Sequence, residues 1–427
     1  MLSPEEILKH YSSQQIQKAL LSVGREREVV GAFTDGSYMK RPDNLLYPKD
    51  ILERVKRGAV AFHCSVEHWT NPLQLSTKLS STELDELRKS WDLIIDIDSK
   101  IKLEHGRTAA VVIVDFLKEI GVQPTVKFSG RRGFHIAVSA EAFPPALDFK
   151  SLSSRYPEAP RAICRFIKEK VKGRIFDALV ETEGGVSALT SLLPSVSELN
   201  PYLFVEVEEN WGSRHLFRAP YSLHSGTWLV SLPIRLFKLR SFSPEQAVPE
   251  KIKVEAPFLE SKVGEGTELL LQSLDWFAKI KPEPAMETKK PKGKFSETVP
   301  EQYFPPCIKK MLAGLPDGRK RSVFTIISFL QSVNWGGEQI EKRVLEWGRT
   351  VGLPERFVRT QLKWHSRTER LPPNCENDLF YKSIGLCAGE VHCAQGCKNP
   401  VNDAIKGYLR SKPRTEKKPI SSGKKRK

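Results

Sequence analysis

Long apolar runs are what this chain of 427 residues most plainly lacks. None approaches the roughly 20 residues that a membrane-spanning helix needs, so no membrane role is expected. The opening residues, with Pro4, Glu5, Glu6 and Lys9, lack the pattern of a secretory leader. Cysteine is scarce before residue 300, where Cys64 and Cys164 stand alone and read as buried structural thiols. No internal repeat is visible. The expected location is the cytoplasm, in association with the nucleoid, or the nucleus of a nucleated cell.

What is present is an ordinary globular composition, 40% hydrophobic and 28% charged. The length allows two or three domains at roughly 150 residues each. Charge is lopsided: 67 Lys and Arg face 51 Asp and Glu, a net of +16. Ten of those basic residues and a single Glu fall in residues 406–427, so this tail carries +9 and the rest of the chain +7. The tail reads either as a disordered solubilising end or as a DNA-binding arm. The remaining +7 favours a polyanionic partner.

Helix-spaced apolar stretches at 5–21, 107–120 and 160–179 alternate with β-rich runs at 92–97, 126–138, 203–207 and 228–233. That alternation predicts an α/β or α+β domain over residues 1–242. The stretch KIKPEPAMETKKPKGKFSETVP, dense in Pro and Lys, predicts a linker, and 243–300 is expected as a linker region with a short helical part. Residues 301–405 carry helical spacing, as in SVFTIISFLQSV and IEKRVLEWGRTV, and 406–427 form the basic tail.

Three segments of the first domain carry candidate chemistry. In WDLIIDIDSK an apolar strand bears Asp96 and Asp98 two residues apart, so both carboxylates share a face. Such a pair suits divalent cations or, equally, a solvated strand end. In KFSGRRGFHI a strand runs into Ser129, Gly130, Arg131, Arg132 and Gly133, then a second strand carries His135. The glycines permit a tight turn, and the arginines offer planar forks for phosphate oxygens; the bland alternative is an exposed basic hairpin. In FVEVEENWGSRHLFRAPYSLHSGTW, Glu206 is a third acid, and Arg218 and His224 flank Pro220.

Taken in this order, the three segments resemble the catalytic subunit of archaeal and eukaryotic DNA primases, which has a DxD strand, an SGRRGxH hairpin and an acid followed by R-x-P-x-SLH. The resemblance runs to about residue 233 and takes in Arg25, Glu26, Arg27 and Glu28 and the SVEHW-N-P stretch. It implies an α+β primase fold with a mixed or antiparallel sheet and flanking helices. It implies that Asp96, Asp98 and Glu206 hold two Mg²⁺ or Mn²⁺, with Glu208 or Glu209 as substitutes for Glu206. It implies that Ser129, Arg131, Arg132, His135, Arg218 and His224 bind the nucleotide triphosphate, with Arg27 nearby. The family's Cys/His zinc module is absent between the DxD strand and SGRRGFH, so no zinc is expected in this domain.

The other five cysteines, Cys307, Cys375, Cys387, Cys393 and Cys397, cluster late in the chain, where metal is expected before disulfide. C-x5-C and C-x3-C spacings suit zinc, but Cys307 stands 68 residues ahead of Cys375. The pattern resembles the C-terminal iron–sulfur domain of the primase large subunit, a mostly helical module. That implies a [4Fe–4S] cluster on Cys307, Cys375, Cys387 and a fourth ligand, Cys397 or Cys393. It also implies initiating-nucleotide and template contacts from Arg319, Lys320, Arg321 and His365, whose bland reading is a solvated basic helix start.

The expected function is therefore a single-chain DNA primase making RNA or DNA primers de novo on single-stranded DNA from nucleoside triphosphates. Replisome proteins are expected partners, and the fusion of both parts implies a monomer. A repair primase-polymerase is the alternative within the same chemistry. A nucleic-acid-binding protein with a degenerate polymerase fold is the non-enzyme alternative.

Overall fold

Strand β5 (Leu93–Ser99) shows how the first unit is built. Leu93, Ile95 and Ile97 are fully buried, while Asp96 and Asp98 alternate with them and stay partly open. Helix Leu103–Glu119 covers the apolar face; Ser99 sits so close to it that a side chain at Gly106 would strike its hydroxyl. Helix Glu158–Glu183 packs on Leu103–Glu119, and helix Thr267–Lys279 packs on Glu158–Glu183 in turn. The acidic face of β5 is left clear of these helices.

The computed structural model describes residues 2–193, 199–209, 212–280, 295–315, 318–365, 370–375, 377, 380–381, 384–387 and 399–412. The chain divides into two units, Met1–Ala285 and Met286–Lys427. Among the described residues the strands are β1 (Val29–Ala32), β2 (Ala61–Ser65), β3 (Glu67–Trp69), β4 (Arg88–Trp91), β5, β6 (Thr125–Phe128), β7 (Gly133–Val138), β8 (Ala146–Leu147), β9 (Lys150–Ser151), β10 (Val205–Val207), β11 (Leu216–Arg218) and β12 (Pro233–Ile234). The main sheet has the order β10-β5-β7-β6-β12, and a second has the order β1-β2-β11. Every strand pair is antiparallel.

Two sequence expectations change here. The stretch 5–21 is broken at Ser12 and Ser13 into helices Pro4–Tyr11 and Gln14–Gly24, the first closed by a Ser3–Glu6 capping box. The linker expected over 243–300 is shorter, because Ala247, Phe258, Leu269 and Leu270 belong to the first core. Val299, at its other end, belongs to the second.

The second unit is helical among its described residues: Pro306–Ala313, Arg319–Ser332, Gly337–Thr350, Glu355–His365 and Pro400–Ser411. Ile308, Met311, Ile326, Phe329, Val344 and Trp347 form its core, and the Trp347 indole donates to the Met311 carbonyl at 2.7 Å. No helix among the described residues is long and apolar enough to cross a membrane.

Candidate active site

Strand register assembles the site. β10 lies against β5 with Glu206 opposite Asp98, and the Glu208 amide donates to the Asp96 carbonyl at 2.9 Å. Directly opposed residues share a face, so Asp96, Asp98, Glu206 and Glu208 form a square of carboxylates. β7 extends the square on the other side, with His135 opposite Asp96 and Gly133 opposite Asp98. β6 then sets Lys127 beside His135. One row across the sheet reads Glu208, Asp96, His135, Lys127; the next reads Glu206, Asp98, Gly133. Glu209, an alternative third acid in the sequence reading, instead pairs with Lys168 at 2.9 Å.

The charges in this array are strongly coupled. Asp96 Oδ1 is buried, has no hydrogen bond and lies 3.4 Å from His135 Nε2, although the side chain as a whole keeps 41% exposure. Burial of that oxygen, together with the Asp98 carboxylate, holds the Asp96 carboxyl well above its usual range, against the pull of Lys127. Lys127 is fully buried, donating to Ser231 Oγ at 2.7 Å between the rings of Phe217 and Phe258. Burial, and then Arg218, lowers its pKa to about 7. Burial, and then Lys127 and Arg218, pushes His135 well below the usual histidine range, so it is neutral at pH 7.

The Ser129–Gly133 turn adjoins the square. The Ser129 amide donates to the Gly133 carbonyl at 2.9 Å, and Gly130 adopts φ +103°. A Cβ at Gly130 would lie 2.8 Å from the Cβ of His224, so only glycine lets that histidine approach. His224 Nδ1 accepts from the amides of Gly226 at 3.0 Å and Thr227 at 3.1 Å, which puts the proton of the neutral ring on Nε2. Burial, and then Arg218 and Arg131, lowers its pKa to about 4. Arg131 and Arg132 are exposed, and Arg218 donates to the Leu223 carbonyl at 3.0 Å. Ser129, Arg131, Arg132, His135, Arg218 and His224 are thus gathered on and beside one sheet face.

Two residues assigned to binding are placed otherwise. Arg27 is buried, and its two terminal nitrogens are held by Asp92 and by the carbonyls of Ser65 at 2.8 Å and Val66 at 3.2 Å, so it presents no fork to a nucleotide. His365 is 1% exposed, stacked on Phe324 at 5.3 Å, and faces the core instead of a template. Conversely, Lys127 and the Tyr38–His63 pair, whose rings lie edge to face at 5.2 Å near Arg218, escaped the sequence reading. A lysine inside the wholly buried strand TVKF was the available signal.

In the second unit, Arg319 donates to the Val351 carbonyl at 2.7 Å, Lys320 lies over the Phe357 ring at 5.7 Å, and Arg321 follows them on helix Arg319–Ser332. Tyr381 is buried beside Cys307 and Cys375, which with burial raise its pKa, and its carbonyl accepts from the Cys387 amide at 3.2 Å. Cys393 and Cys397 lie outside the described residues. Among the described residues no three His, Cys, Asp or Glu side chains are gathered as a ready-made metal group, either in this unit or at the carboxylate square, whose acids adjoin by strand register.

Residues 50–177 match the family of the LigD primase-polymerase domain. That stretch contains Asp96, Asp98, the Ser129–Gly133 turn and His135. The chain is also 33% identical over 181 residues to the DNA primase small subunit PriS of Pyrobaculum aerophilum, covering 37% of this chain and 57% of that protein. It is 27% identical over 208 residues to an uncharacterised protein of Methanocaldococcus jannaschii, covering 48% of this chain and 42% of that one. The chain therefore spans about half the length of the curated relatives it matches. Among solved structures, the polymerase domain of Mycobacterium tuberculosis Ligase D in complex with DNA aligns at 16% identity and a TM-score of 0.36, covering 64% of this chain and 89% of that one. Primase RepB′ aligns at 14% identity and a TM-score of 0.30, covering 85% and 99%.

The primase resemblance puts Glu206 ahead of Glu208 as the third ligand, and strand pairing sets Glu209 apart from both. Replacing Glu206 by Gln should lower nucleotide incorporation by at least about 100-fold, and Glu208→Gln by roughly 10- to 100-fold, as for a ligand and its supporting shell. Glu209→Gln should leave incorporation near the parent rate. Steady-state incorporation across a Mg²⁺ titration checks this, and an inverted order would move the third ligand to another residue.

Proposed function

We propose that this chain is a DNA primase, a DNA-directed nucleotidyltransferase that starts and extends primers on single-stranded DNA. The observation that carries the reading is the carboxylate square on one sheet face with the Ser129–Gly133 turn, Arg218 and His224 beside it. Hard carboxylate oxygens suit Mg²⁺ or Mn²⁺, and the buried, unbonded Asp96 Oδ1 is an acceptor that a cation would satisfy. Asp96, Asp98 and Glu206 would hold two such ions, which when bound activate an attacking 3′-hydroxyl and neutralise the departing pyrophosphate.

The chain's own groups handle the triphosphate. Arg131, Arg132 and Arg218 offer forks that grip phosphate oxygens and fix the α-phosphate before attack. His135 and His224 act as neutral donors at pH 7, contributing hydrogen bonds without an added charge to desolvate. Lys127, buried behind His135 with its pKa lowered to about 7, adds positive potential to the site in its protonated form.

For the second unit, Cys307, Cys375 and Cys387 with Cys397 or Cys393 would hold a [4Fe–4S] cluster, and Arg319, Lys320 and Arg321 would bind the initiating nucleotide. The approach of Cys307 and Cys375 to the buried Tyr381, whose carbonyl accepts from the Cys387 amide, supports this. A second reading, a repair primase-polymerase, draws support from the match to the LigD primase-polymerase domain.

Unprimed single-stranded template with labelled nucleotides separates the readings. New chains should appear, from anaerobically purified protein that is brown and carries about four irons per chain. Extension of supplied primers alone would favour the repair polymerase. No synthesis with either substrate would leave a nucleic-acid-binding protein, and a colourless zinc-only preparation would remove the cluster.

A further inference from the structure

A cavity of about 460 Å³ opens beside the start of β5, lined in part by Arg27, whose guanidinium pairs with Asp92. Asp92 precedes Asp96 by four residues, roughly 13 Å of extended chain, so this cavity is separate from the carboxylate square. Its volume falls within the range of small-ligand pockets. Leu21, Leu46 and Pro72 give it apolar walls, and Arg25, Asn44 and Asn71 give it polar ones. Leu46 is 64% exposed and the adjoining Tyr47 58%, an apolar and aromatic rim left open to water.

The acids around this cavity are already engaged. Glu26 pairs with Lys89 at 2.7 Å, and Asp43 pairs with Arg54 at 2.7 Å. Asp50 accepts from the amides of Leu46 at 2.9 Å and Tyr47 at 2.8 Å. Arg25 is exposed, and Glu26, whose carboxylate feels its charge, is hydrogen-bonded to Lys89 instead. Asn71 Oδ1 accepts from the Leu73 amide at 3.1 Å, so its NH₂ is the donor end of the side chain. Lys49 lies over the Tyr47 ring at 5.6 Å. An exposed cation, an Asn amide, apolar walls and a basic-flanked aromatic rim are the elements of a site for single-stranded nucleic acid.

We propose that this cavity takes one nucleotide of a single DNA strand, its base against Leu46 and Pro72 and its phosphate on Arg25. The ligand class rests on the nucleic-acid reading above; the site itself needs nothing from the carboxylate chemistry. The test uses the full chain and a short fluorescein-labelled oligo-dT in EDTA, without nucleoside triphosphates. An inactive polymerase site therefore cannot disguise the result. Arg25→Ala should weaken binding roughly tenfold, as for loss of a charge-assisted hydrogen bond. It should also flatten the slope of log K against log salt by about 0.7, one single-strand phosphate contact. Arg25→Lys should keep the slope, and Leu46→Asp should weaken binding at least as much as Arg25→Ala. Unchanged affinity and slope in Arg25→Ala, an exposed substitution that leaves the core alone, would overturn the proposal even if Leu46→Asp failed to fold. Free dTMP competing as well as the oligomer, nucleotide for nucleotide, would overturn it too, by making the cavity a mononucleotide site.

Discussion

Asp98→Asn protein is expected to incorporate essentially no nucleotide, at least about 10³-fold below the parent, while melting at the same temperature or slightly higher. The activity loss follows from several kcal/mol of charge stabilisation that a cation held there contributes. The stability result follows from the sign of the Asp96 shift. A carboxyl whose folded pKa is raised favours the fold only below its unfolded pKa, about 3.9. That contribution is lost as pH rises towards the folded value, so at pH 7 the crowded acids, which keep Asp96 protonated while the unfolded chain would ionise it, work against folding. Removing Asp98 charge relieves it. Asp96→Asn should behave alike. Steady-state incorporation and a thermal melt, run side by side, check the pair. Retained synthesis in both variants would remove the active-site assignment, and a large fall in melting temperature would make these acids structural.

Gly133→Ala is expected to be nearly as damaging, for a steric reason. Its Cβ would stand 2.3 Å from the Ile97 carbonyl oxygen and 2.5 Å from Asp98 Oδ1. One of these neighbours is backbone, so β7 must move away from β5, and it carries His135 with it. Overpacking of this kind costs about 1–3 kcal/mol. Displacement of His135 and Asp98 should lower incorporation by a further 100-fold or so, as small misplacements of positioned groups do. Gly121→Ala supplies the control: Gly121 has φ +84° but nothing within 4 Å of a new Cβ. It should lose only about 1 kcal/mol of stability and keep its activity. If Gly133→Ala merely matched that control, the tight contact between β5 and β7 would not matter to the chemistry.

Much of the site was legible because it is built from short-range periodicity. Asp96 and Asp98 share a face by strand alternation, and the glycines flanking Arg131 and Arg132 announce a turn. The third acid was not legible to one residue. Glu206 and Glu208 have the same parity on their strand, and only pairing against β5 shows that both join the square while Glu209 leaves it for Lys168. Residues 228–233 looked like a strand from their apolar content, yet only Pro233–Ile234 pairs in the main sheet, with a lone bridge from Val230 to Leu223.

By itself the sequence determined the alternation of β5, the turn before β7, the helical character of the second unit and the excess of positive charge. These depend on residue type and spacing along a few consecutive positions. Tertiary structure alone decided what was charged, buried or spent. It buried Lys127 behind His135, tied Arg27 to Asp92, turned His365 into the core, and drew residues 247–270 into the first unit. It also left Arg25 exposed beside an open cavity by bonding Glu26 to Lys89 and Asp43 to Arg54. Burial and pairing are set by partners as distant in sequence as Glu28 and Arg214, and the free energy of a charge depends on those partners far more than on its sequence neighbours.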